Sequence, residues 1–445
     1  MNELKDNPKT EINQAIVTVT RSLINKLLEK LPKGLEESAK TYGAILRRRV
    51  VKSASNLILA LFIYASPDMS LRMLASGAAS AEIADMTDQA WQKKVVKCEP
   101  WLSHLLTEAM PKMSTKSKKA FKGKSVKLLD GSIIRQAGKL GKKGGESLRV
   151  HMCYNLTEGC MDCISVTNIS TAESVTVFDI EPNTIYIADT VYGKGKALAH
   201  IRTSQADALF RATPNHLSLS DDEKGKIKIN MTEILDTNVD TVDFSCYVHT
   251  ENKKRIPVRV IASKLPEDKA LLAKERKIRN ARKEQTKNIR DETFVYAGWV
   301  ILITTLPDEY SAEELLKMYR ARWQIELLFK RIKQSFNVSV LPAASLTHSK
   351  AMVLLWLILW SLAEQESLGI EIFLLDSGTD MSLYSPWATQ CFLFQHLMVI
   401  INCVWALSFI SHSHNINALS RLLNHRSSRD NQYAIFRLLK FDSAL

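Results

Sequence analysis

The chain has 445 residues, 46% of them hydrophobic, and a formal net charge of +13 at pH 7. A chain of this length holds about two to four domains with real hydrophobic cores, and its seven scattered cysteines do not suggest a disulfide framework. The excess of positive charge predicts a polyanionic partner, with nucleic acid ahead of a membrane surface.

Residues 1–115 predict a helical N-terminal domain. We expect helices over residues 46–65 and 70–75, the second broken by the serine and glycine that follow, and over residues 88–98, where Thr87 supplies an N-cap. A capped basic helix after a turn is compatible with a DNA-reading unit and also with any small helical bundle. The charge of the whole chain favours the DNA-binding interpretation.

The pattern changes from helices to strands after a basic connector at residues 112–127. We predict strands over residues 125–130, 146–156, 160–170, 184–189 and 208–213, with a helix over residues 195–204. Three strands, a crossover and then strand, helix, strand is the layout of an α/β domain.

Residues 215–299 interrupt this domain with a β-rich insertion. Its strands are expected at residues 241–250 and 255–263, and a polar helix at residues 269–290 carries nine basic residues against two acids. Contact with phosphates and a plain solvated face are equally open for that helix. A strand over residues 294–305 then returns the chain to the α/β domain, which we place at residues 120–214 and 300–345.

Residues 346–445 predict a helical C-terminal region that is a candidate for dimerisation. Residues 351–363 are apolar but too short for a bilayer, which needs about 20 such residues. Residues 387–410 are long enough but include Gln390 and His396. The polar N-terminus lacks the apolar core of a signal peptide, so we predict buried helices, no membrane partner and a cytoplasmic location.

Cysteine and glycine motifs of the α/β region do not indicate a metal or nucleotide site. Cys160 and Cys163 form a single CxxC, with no second pair at zinc spacing, and are interpreted as ordinary strand or turn residues. The glycines at 138–145 and 193–195 fit neither a P-loop nor a dinucleotide fingerprint. We interpret both clusters as basic loops that contact nucleic-acid backbone.

The most informative stretch is residues 319–333, YRARWQIELLFKRIK. Placed on one helix at about 100° per residue, it has a full apolar face. The opposite face aligns five side chains: Tyr319, Arg322, Trp323, Glu326 and Lys333. A carboxylate flanked by phosphate-binding side chains fits a metal-dependent enzyme that acts on a nucleic-acid backbone. A solvated charged face is the alternative, against which the Trp argues.

A metal site at Glu326 needs further carboxylates, because one acid does not hold two divalent ions. Asp130 follows an apolar strand pattern, and Asp189 follows another. Asp162, Asp179 and Asp207 are weaker candidates because each lies beside turn or helix-start residues. One acid at a strand end is usually a cap, but two such acids together with Glu326 favour a metal site.

These residues resemble the bacterial insertion-sequence DDE transposases of the family numbered four. The signature of that family, Tyr, two residues, Arg, three residues, Glu, six residues, Lys, reads here Tyr319, Arg322, Glu326 and Lys333. The resemblance covers residues 120–345 and, more loosely, the helical ends. It implies an RNase H-like mixed α/β sheet flanked by helices and interrupted by a β-rich insertion, with all-helical N- and C-terminal regions.

The resemblance also implies the chemistry. Asp130, Asp189 and Glu326 would bind two Mg²⁺ ions, for which Mn²⁺ can substitute. The protein would cleave at the transposon ends and join the freed 3′-OH to target DNA. Its partners would be double-stranded DNA, as transposon ends and as target, and a second copy of the chain in a homodimeric synaptic complex.

In that family the Tyr, Arg and Lys of the signature hold backbone phosphates, which here assigns Tyr319, Arg322 and Lys333 to DNA binding. Trp299 is the candidate for stacking a flipped base, with a core Trp as the equal alternative. Arg211 resembles a further phosphate-binding residue of the family. Trp323 is expected to contact DNA.

One departure concerns the second acid, which the family often follows with Arg-Gly-Tyr. The present sequence reads Asp189-Thr-Val-Tyr192, which keeps the Tyr and loses one phosphate-binding Arg. Two alternatives to a cut-and-paste transposase stay open: an RNase H-like metal-dependent nuclease without strand transfer, and a catalytically inactive inhibitor that binds transposon ends.

Overall fold

The computed structural model describes residues 18, 22, 25–66, 69–110, 121–136, 147–236, 239–250, 255–283, 289–336, 340–341, 345–380 and 385–411. The predicted glycine-rich loop at 138–145 lies outside them. The chain divides into two compact units. Unit 1 comprises residues 1–110, 335–337 and 341–445, and unit 2 comprises residues 111–334 and 338–340.

The helices are α1 Leu35–Thr41, α2 Ala54–Tyr64, α3 Leu71–Ser80, α4 Asp88–Lys97, α5 Glu99–Glu108, α6 Gly195–Thr203, α7 Met231–Leu235, α8 Glu267–Lys283, α9 Asp291–Ala297, α10 Ala312–Arg320, α11 Trp323–Ser335, α12 Leu346–Asp376 and α13 Pro386–Ser411. The strands are β1 Ser125–Gln136, β2 Ser147–Asn155, β3 Cys160–Asn168, β4 Thr184–Ala188, β5 Asp207–Arg211, β6 Leu219–Ser220, β7 Thr241–His249, β8 Arg255–Lys264, β9 Trp299–Thr304 and β10 Val340–Leu341.

The described residues of unit 1 are mainly helical, as predicted for the N- and C-terminal regions. Thr87 caps α4 as expected, since its hydroxyl accepts a hydrogen bond from the backbone N–H of Ala90 at 3.2 Å. Two predicted helix boundaries are wrong. Helix α2 begins only after Ser53, whose side chain caps it. Helix α3 continues through Ser76 and Gly77, because both are buried and a small side chain suits close packing.

Helix α12 is the only helix in the described ranges that is long and apolar enough to cross a membrane, with a mean hydropathy of 1.4 in its most apolar window. However, 78% of that window is buried inside the protein. Trp360 is completely buried, and the Tyr64 hydroxyl lies 3.0 Å from Nε2 of His348. This burial favours the predicted core helix over a membrane segment.

Unit 2 is built on one mixed sheet with the strand order β3-β2-β1-β4-β5-β9-β8-β7-β6. Strands β1, β4 and β5 run parallel, and the other neighbours in this order are antiparallel. All five residues of β4 are buried, as expected for a parallel strand covered on both faces, and Leu198 and Ile201 of α6 lie in the same core. The predicted fold class, a mixed α/β sheet consistent with an RNase H-like fold, is confirmed.

The β-rich insertion does not form a separate sheet, because β8 pairs with β9 and thereby extends the sheet of β5. The predicted strand at 294–305 is partly wrong. Residues Asp291–Ala297 form α9, and the strand starts only at Trp299, after a turn at Gly298. The boundaries of the predicted domains stay predictions.

Candidate active site

The two predicted strand acids lie side by side. Strands β1 and β4 are parallel neighbours in which Leu129 pairs with Ala188. Asp130 and Asp189 are the residues that follow this pair on the two strands. Each carboxylate also accepts a local hydrogen bond. The N–H of Gly131 donates to Oδ1 of Asp130, and the N–H of Val191 donates to Oδ1 of Asp189, both at 2.9 Å. Sequence reasoning from two apolar strands therefore indicated two acids that the fold brings together.

The pKa of the Asp130 carboxyl is raised by its surroundings. Burial raises its pKa to about 7, the hydrogen bond from Gly131 opposes the rise, and the neighbouring Asp189 adds to it. Two carboxylates that repel each other in a half-buried place are stabilised by a cation. Arg322 and Glu173 also lie close enough to affect the pKa of Asp130, in opposite directions.

The stretch predicted as a single helix forms two helices instead. Helix α10 ends at Arg320 and α11 starts at Trp323, so the prediction of a continuous helix over residues 319–333 is wrong. The junction is closed by tighter i to i−3 hydrogen bonds, such as the one from the N–H of Arg322 to the carbonyl of Tyr319 at 3.0 Å. The break separates Tyr319 on α10 from Glu326 and Lys333 on α11.

Arg322 and Glu326 form an ion pair across this junction. Nη1 of Arg322 lies 2.6 Å from Oε1 of Glu326, and the two side chains are 15% and 34% exposed. The guanidinium also lies against the ring of Tyr319, 5.7 Å from its centroid. Glu326 is therefore engaged by an arginine, and the same arginine lies within electrostatic reach of Asp130.

Tyr319 and Lys333 are both partly buried near this site. The Tyr319 hydroxyl makes no well-aligned hydrogen bond to a described residue and lies beside the Arg322 guanidinium, and burial raises the pKa of this phenol. Nζ of Lys333 donates to Oγ of Ser132 at 2.6 Å and to the carbonyl of Ile133 at 3.3 Å, and burial lowers the pKa of this lysine. The lysine thus lies against β1 just beyond Asp130.

The remaining predicted site residues differ in accessibility. Trp299 is 4% exposed and belongs to the hydrophobic core of the sheet, which is the alternative that the sequence left open. Trp323 is 56% exposed at the start of α11. Arg211, at the exposed end of β5, lies close enough to Tyr319 to lower the pKa of that phenol. Arg211 thus joins the site, whereas Trp299 is packed away from solvent.

The described residues contain no group of three or more Asp, Glu, His or Cys side chains that is already arranged to hold a metal ion. Asp130 and Asp189 fit a divalent ion by their donor chemistry and by their mutual repulsion. Glu326 is ion-paired with Arg322 instead. The metal-binding role of these three acids therefore stays a prediction.

Sequence reasoning missed Glu173, which lies in the connection between β3 and β4. Its carboxylate is 3.3 Å from Nε of Arg149 and lies within electrostatic reach of Asp130 and Asp189. The residue has no strand or helix pattern around it, so only its position in the fold brings it to the site.

A mixed sheet with two adjacent strand acids and a glutamate on a later helix is compatible with the class of metal-dependent enzymes that act on nucleic-acid backbones. Residues 121–362 match the family model described as "Transposase DDE domain". The chain therefore belongs to the DDE transposases of bacterial insertion sequences and is a DDE transposase enzyme. Members of this family act on DNA and generally depend on divalent metal.

Named relatives agree with this family. The chain is 30% identical over 329 residues to the putative transposase InsL for insertion sequence element IS186A of Escherichia coli (strain K12), covering 72% of this chain and 87% of the relative. It is also 30% identical over 330 residues to the transposase for insertion sequence element IS421 of Escherichia coli, with the same coverage. The number of the subfamily and its four-residue signature stay predictions.

Proposed function

We propose that this protein is a cut-and-paste transposase that binds the terminal inverted repeats of its insertion sequence, cleaves at their ends and joins the 3′-OH to target DNA. The observation that carries the proposal is the pairing of Leu129 with Ala188, which sets Asp130 and Asp189 side by side at one level of the sheet. Membership of the transposase family supplies the reaction class.

In this proposal Asp130, Asp189 and Glu326 hold two Mg²⁺ ions, for which Mn²⁺ substitutes. Such ions supply an activated water or 3′-OH as nucleophile and stabilise the leaving oxygen in each displacement at phosphorus. The strand acids contribute a rigid half of the site, because each also accepts a backbone hydrogen bond that fixes its carboxylate. Glu326 contributes from α11 as the adjustable ligand.

Arg322 is proposed to change partners when DNA binds. Its guanidinium neutralises Glu326 in the free protein and then donates to a backbone phosphate, whose charge and geometry suit a guanidinium fork. The freed glutamate turns to the metal. Tyr319, whose hydroxyl makes no well-aligned hydrogen bond to a described residue, and Lys333 would hold phosphates of the same end.

Other residues take supporting roles in this proposal. Arg211 and the exposed Trp323 would contact the transposon end. Stacking of a flipped base on Trp299 would require the ring, which is 4% exposed, to leave the core. A homodimer, brought together on paired ends, and a nucleoid-associated location in the bacterial cytoplasm complete the proposal.

The test uses the full chain and DNA that carries the inverted repeats flanking its gene. We expect Mg²⁺-dependent nicking at the end of the repeat, and loss of at least about 100-fold in rate for Asp130→Ala, Asp189→Ala and Glu326→Ala. Asp162→Ala, which removes an acid of β3 that pairs with Lys127, is the control and should nick at the rate of the parent. If all four variants nick at the rate of the parent protein, the assignment of Asp130, Asp189 and Glu326 as catalytic acids is wrong.

Precut ends distinguish the alternatives. A transposase converts them into joined products with target DNA, whereas a nuclease without strand transfer gives none. Specific binding without cleavage in Mg²⁺ or Mn²⁺ would identify an inactive end-binding inhibitor.

A further inference from the structure

Glu173 packs directly on the backbone next to the proposed metal ligands. A Cβ atom placed on Gly131 would come within 2.7 Å of Cγ and 2.9 Å of Oε1 of Glu173. No side chain fits in that gap without displacing the glutamate. A glycine after Asp130 therefore allows a carboxylate to approach β1 closely.

Arg149 of β2 holds this glutamate in place. Its Nε lies 3.3 Å from Oε1 of Glu173, and the two side chains are only 13% and 14% exposed. Nη1 of the same arginine donates to the carbonyls of Ile169 and Thr171, which anchors the guanidinium. Nε is buried without an aligned hydrogen bond, so charge attraction rather than a saturated bidentate pair retains Glu173.

A second observation points to a ligand at the same place. Tyr192 is 1% exposed, and its hydroxyl has no hydrogen-bond partner among the described residues. Its N–H donates to the carbonyl of Asp189 at 3.2 Å, so the turn after β4 brings the ring to the acids. Burial raises the pKa of Tyr192, and Glu173, Asp130 and Asp189 raise it further. A buried donor surrounded by acids is costly unless it binds an acceptor.

The strand topology explains why these groups meet. Strand β4 pairs with β1 only as far as Leu129, while β1 continues to Gln136. Past Leu129 this edge of β1 has no β4 partner, and the two-residue strand β10 also pairs with β1. Successive residues of a strand point to opposite faces, so Glu173 packs against Gly131 on the face of β1 opposite to Asp130. Its charge still lies within electrostatic reach of Asp130 and Asp189.

We propose that Glu173 is a fourth carboxylate of the metal-binding site, a positioning residue that accepts hydrogen bonds from the hydration shell of an ion held by Asp130 and Asp189. Arg149 fixes its position, and the Tyr192 hydroxyl donates to the same shell of water and carboxylate oxygens. The inference rests on the proposed metal-binding role of the strand acids. It adds a residue that orients water at the ion and raises the affinity of the site for divalent cations.

The test measures Mn²⁺ binding to the full-length protein by calorimetry, without DNA and without turnover. Glu173→Gln keeps the shape of the side chain and removes its charge, and we expect it to weaken Mn²⁺ binding about tenfold, or ~1.4 kcal/mol. Glu173→Asp retains a charge and should recover part of the loss. Glu181→Gln is the matched control, because that glutamate pairs with Lys127 at 2.7 Å instead, and it should bind as the parent does.

Nicking assays supply a second readout. For Glu173→Gln the Mg²⁺ concentration at half-maximal rate should rise about tenfold, while the rate at saturating Mg²⁺ stays within about threefold of the parent. A loss of rate that excess Mg²⁺ does not restore, or unchanged Mn²⁺ binding, would overturn the inference.

Asp130→Asn separates this failure from failure of the proposed function. If Asp130→Asn loses Mn²⁺ binding while Glu173→Gln keeps it, only the role of Glu173 is wrong. If Asp130→Asn and Asp189→Asn both bind Mn²⁺ as the parent does, the metal site itself is wrong.

Gly131→Ala tests the close contact between Gly131 and Glu173 by changing the glycine instead of the glutamate. The added methyl group must displace Glu173, so this variant should also weaken Mn²⁺ binding. In a Glu173→Ala background the space is free, and we expect Gly131→Ala to have no further effect. Additive losses in the double variant would show that Gly131 acts independently of the glutamate.

Discussion

Arg322 controls the charge balance among the candidate catalytic residues. Its pair with Glu326 is only partly screened by water, and it also lies within electrostatic reach of Asp130. A cation bound at these carboxylates, as proposed above, would compete with Arg322 for them. Loss of the guanidinium should therefore raise the affinity of the carboxylates for a metal ion and lower the affinity of the protein for a DNA phosphate.

Arg322→Gln is accordingly expected to change two measurements in opposite directions. Mn²⁺ binding to the free protein should tighten about threefold to tenfold, and affinity for end DNA should fall by about tenfold, since a charge-assisted contact to phosphate is lost. Calorimetry and a gel-shift titration check these values. Arg320→Gln, at the exposed end of α10, is the control and should leave Mn²⁺ binding unchanged. Weaker Mn²⁺ binding by Arg322→Gln would contradict the competition.

His151 makes the stability of unit 2 depend on pH. The ring is fully buried on β2 and hydrogen-bonded to Oγ1 of Thr167 at 2.9 Å, and burial, followed by the charge of Arg149, lowers its pKa to about 4. Its pKa in the folded state is below the value near 6.5 in the unfolded chain. The free energy of unfolding is therefore unaffected by this histidine above about pH 6.5. As the pH falls from 6.5 towards 4, the unfolded chain binds the proton more readily than the folded protein, and the free energy of unfolding falls by about 3 kcal/mol in total.

His151→Gln removes this titration while keeping a polar group near Thr167. The free energy of unfolding of the parent should fall more steeply between pH 7 and pH 4.5 than that of the variant, which urea unfolding at several pH values measures. His216→Gln, an exposed histidine, should follow the parent curve. A constant difference between parent and His151→Gln across this range would show that the buried ring does not titrate as inferred.

At the scale of elements, the glycines at 193 and 195 are explained by packing. A Cβ on Gly193 would meet the carbonyl oxygen of Arg211 at 2.4 Å, and one on Gly195 would meet that of His249 at 2.5 Å. Both neighbours are backbone atoms, which do not move aside cheaply. The glycines let the turn before α6 lie against β5 and β7, and this turn supports the strand end that carries Arg211. Contact of the loop with nucleic acid stays a prediction.

Gly193→Ala should therefore destabilise the protein by at least about 2 kcal/mol, as overpacking against backbone does. Gly369→Ala is a matched control, because that glycine lies in α12 with nothing within 4 Å of an added Cβ, and alanine there should stabilise by about 0.5–1 kcal/mol. Thermal unfolding of both variants checks the pair. Equal melting temperatures would show that the turn before α6 relaxes without cost.

Local signals in the sequence were sufficient for several elements. The apolar run of β4 forms a buried strand, and Ser311 with Glu314, which stand at capping-box spacing, form a capping box in which the N–H of Glu314 donates to Oγ of Ser311 at 3.2 Å. The break after Arg320 had no such signal. It contains neither Gly nor Pro, and the apolar positions keep their helical period across it, because two short helices can share one buried face.

The site shows the same division between local and tertiary information. Asp130 and Asp189 were predictable as neighbours, since both follow apolar strands of an α/β layout. The pairing of Glu326 with Arg322 follows from i, i+4 spacing once the helix is known. Glu173 was not predictable, because its place depends on how the β3–β4 connection folds over Gly131 and Arg149.

At the scale of the whole molecule, the net charge of +13 has to be carried by particular surfaces if it serves DNA binding. Helix α8 is one such surface. None of its residues is buried, and it carries seven basic residues against three acids. The sequence left phosphate contact and a solvated face equally open for this helix, and a helix without a buried residue is compatible with both.

Salt dependence decides between these two roles for α8. Replacing Lys269, Lys274, Lys277 and Lys283 by Gln should lower the slope of log affinity against log salt by about 2 or more, since each lost phosphate contact removes about 0.9. Replacement of the same four lysines by Arg keeps the charge and should keep the slope. Because counterion release depends on phosphates neutralised and not on total charge, an unchanged slope in the Gln variant would identify α8 as a solvated face, and the DNA-binding charge would then lie on other basic segments of the chain.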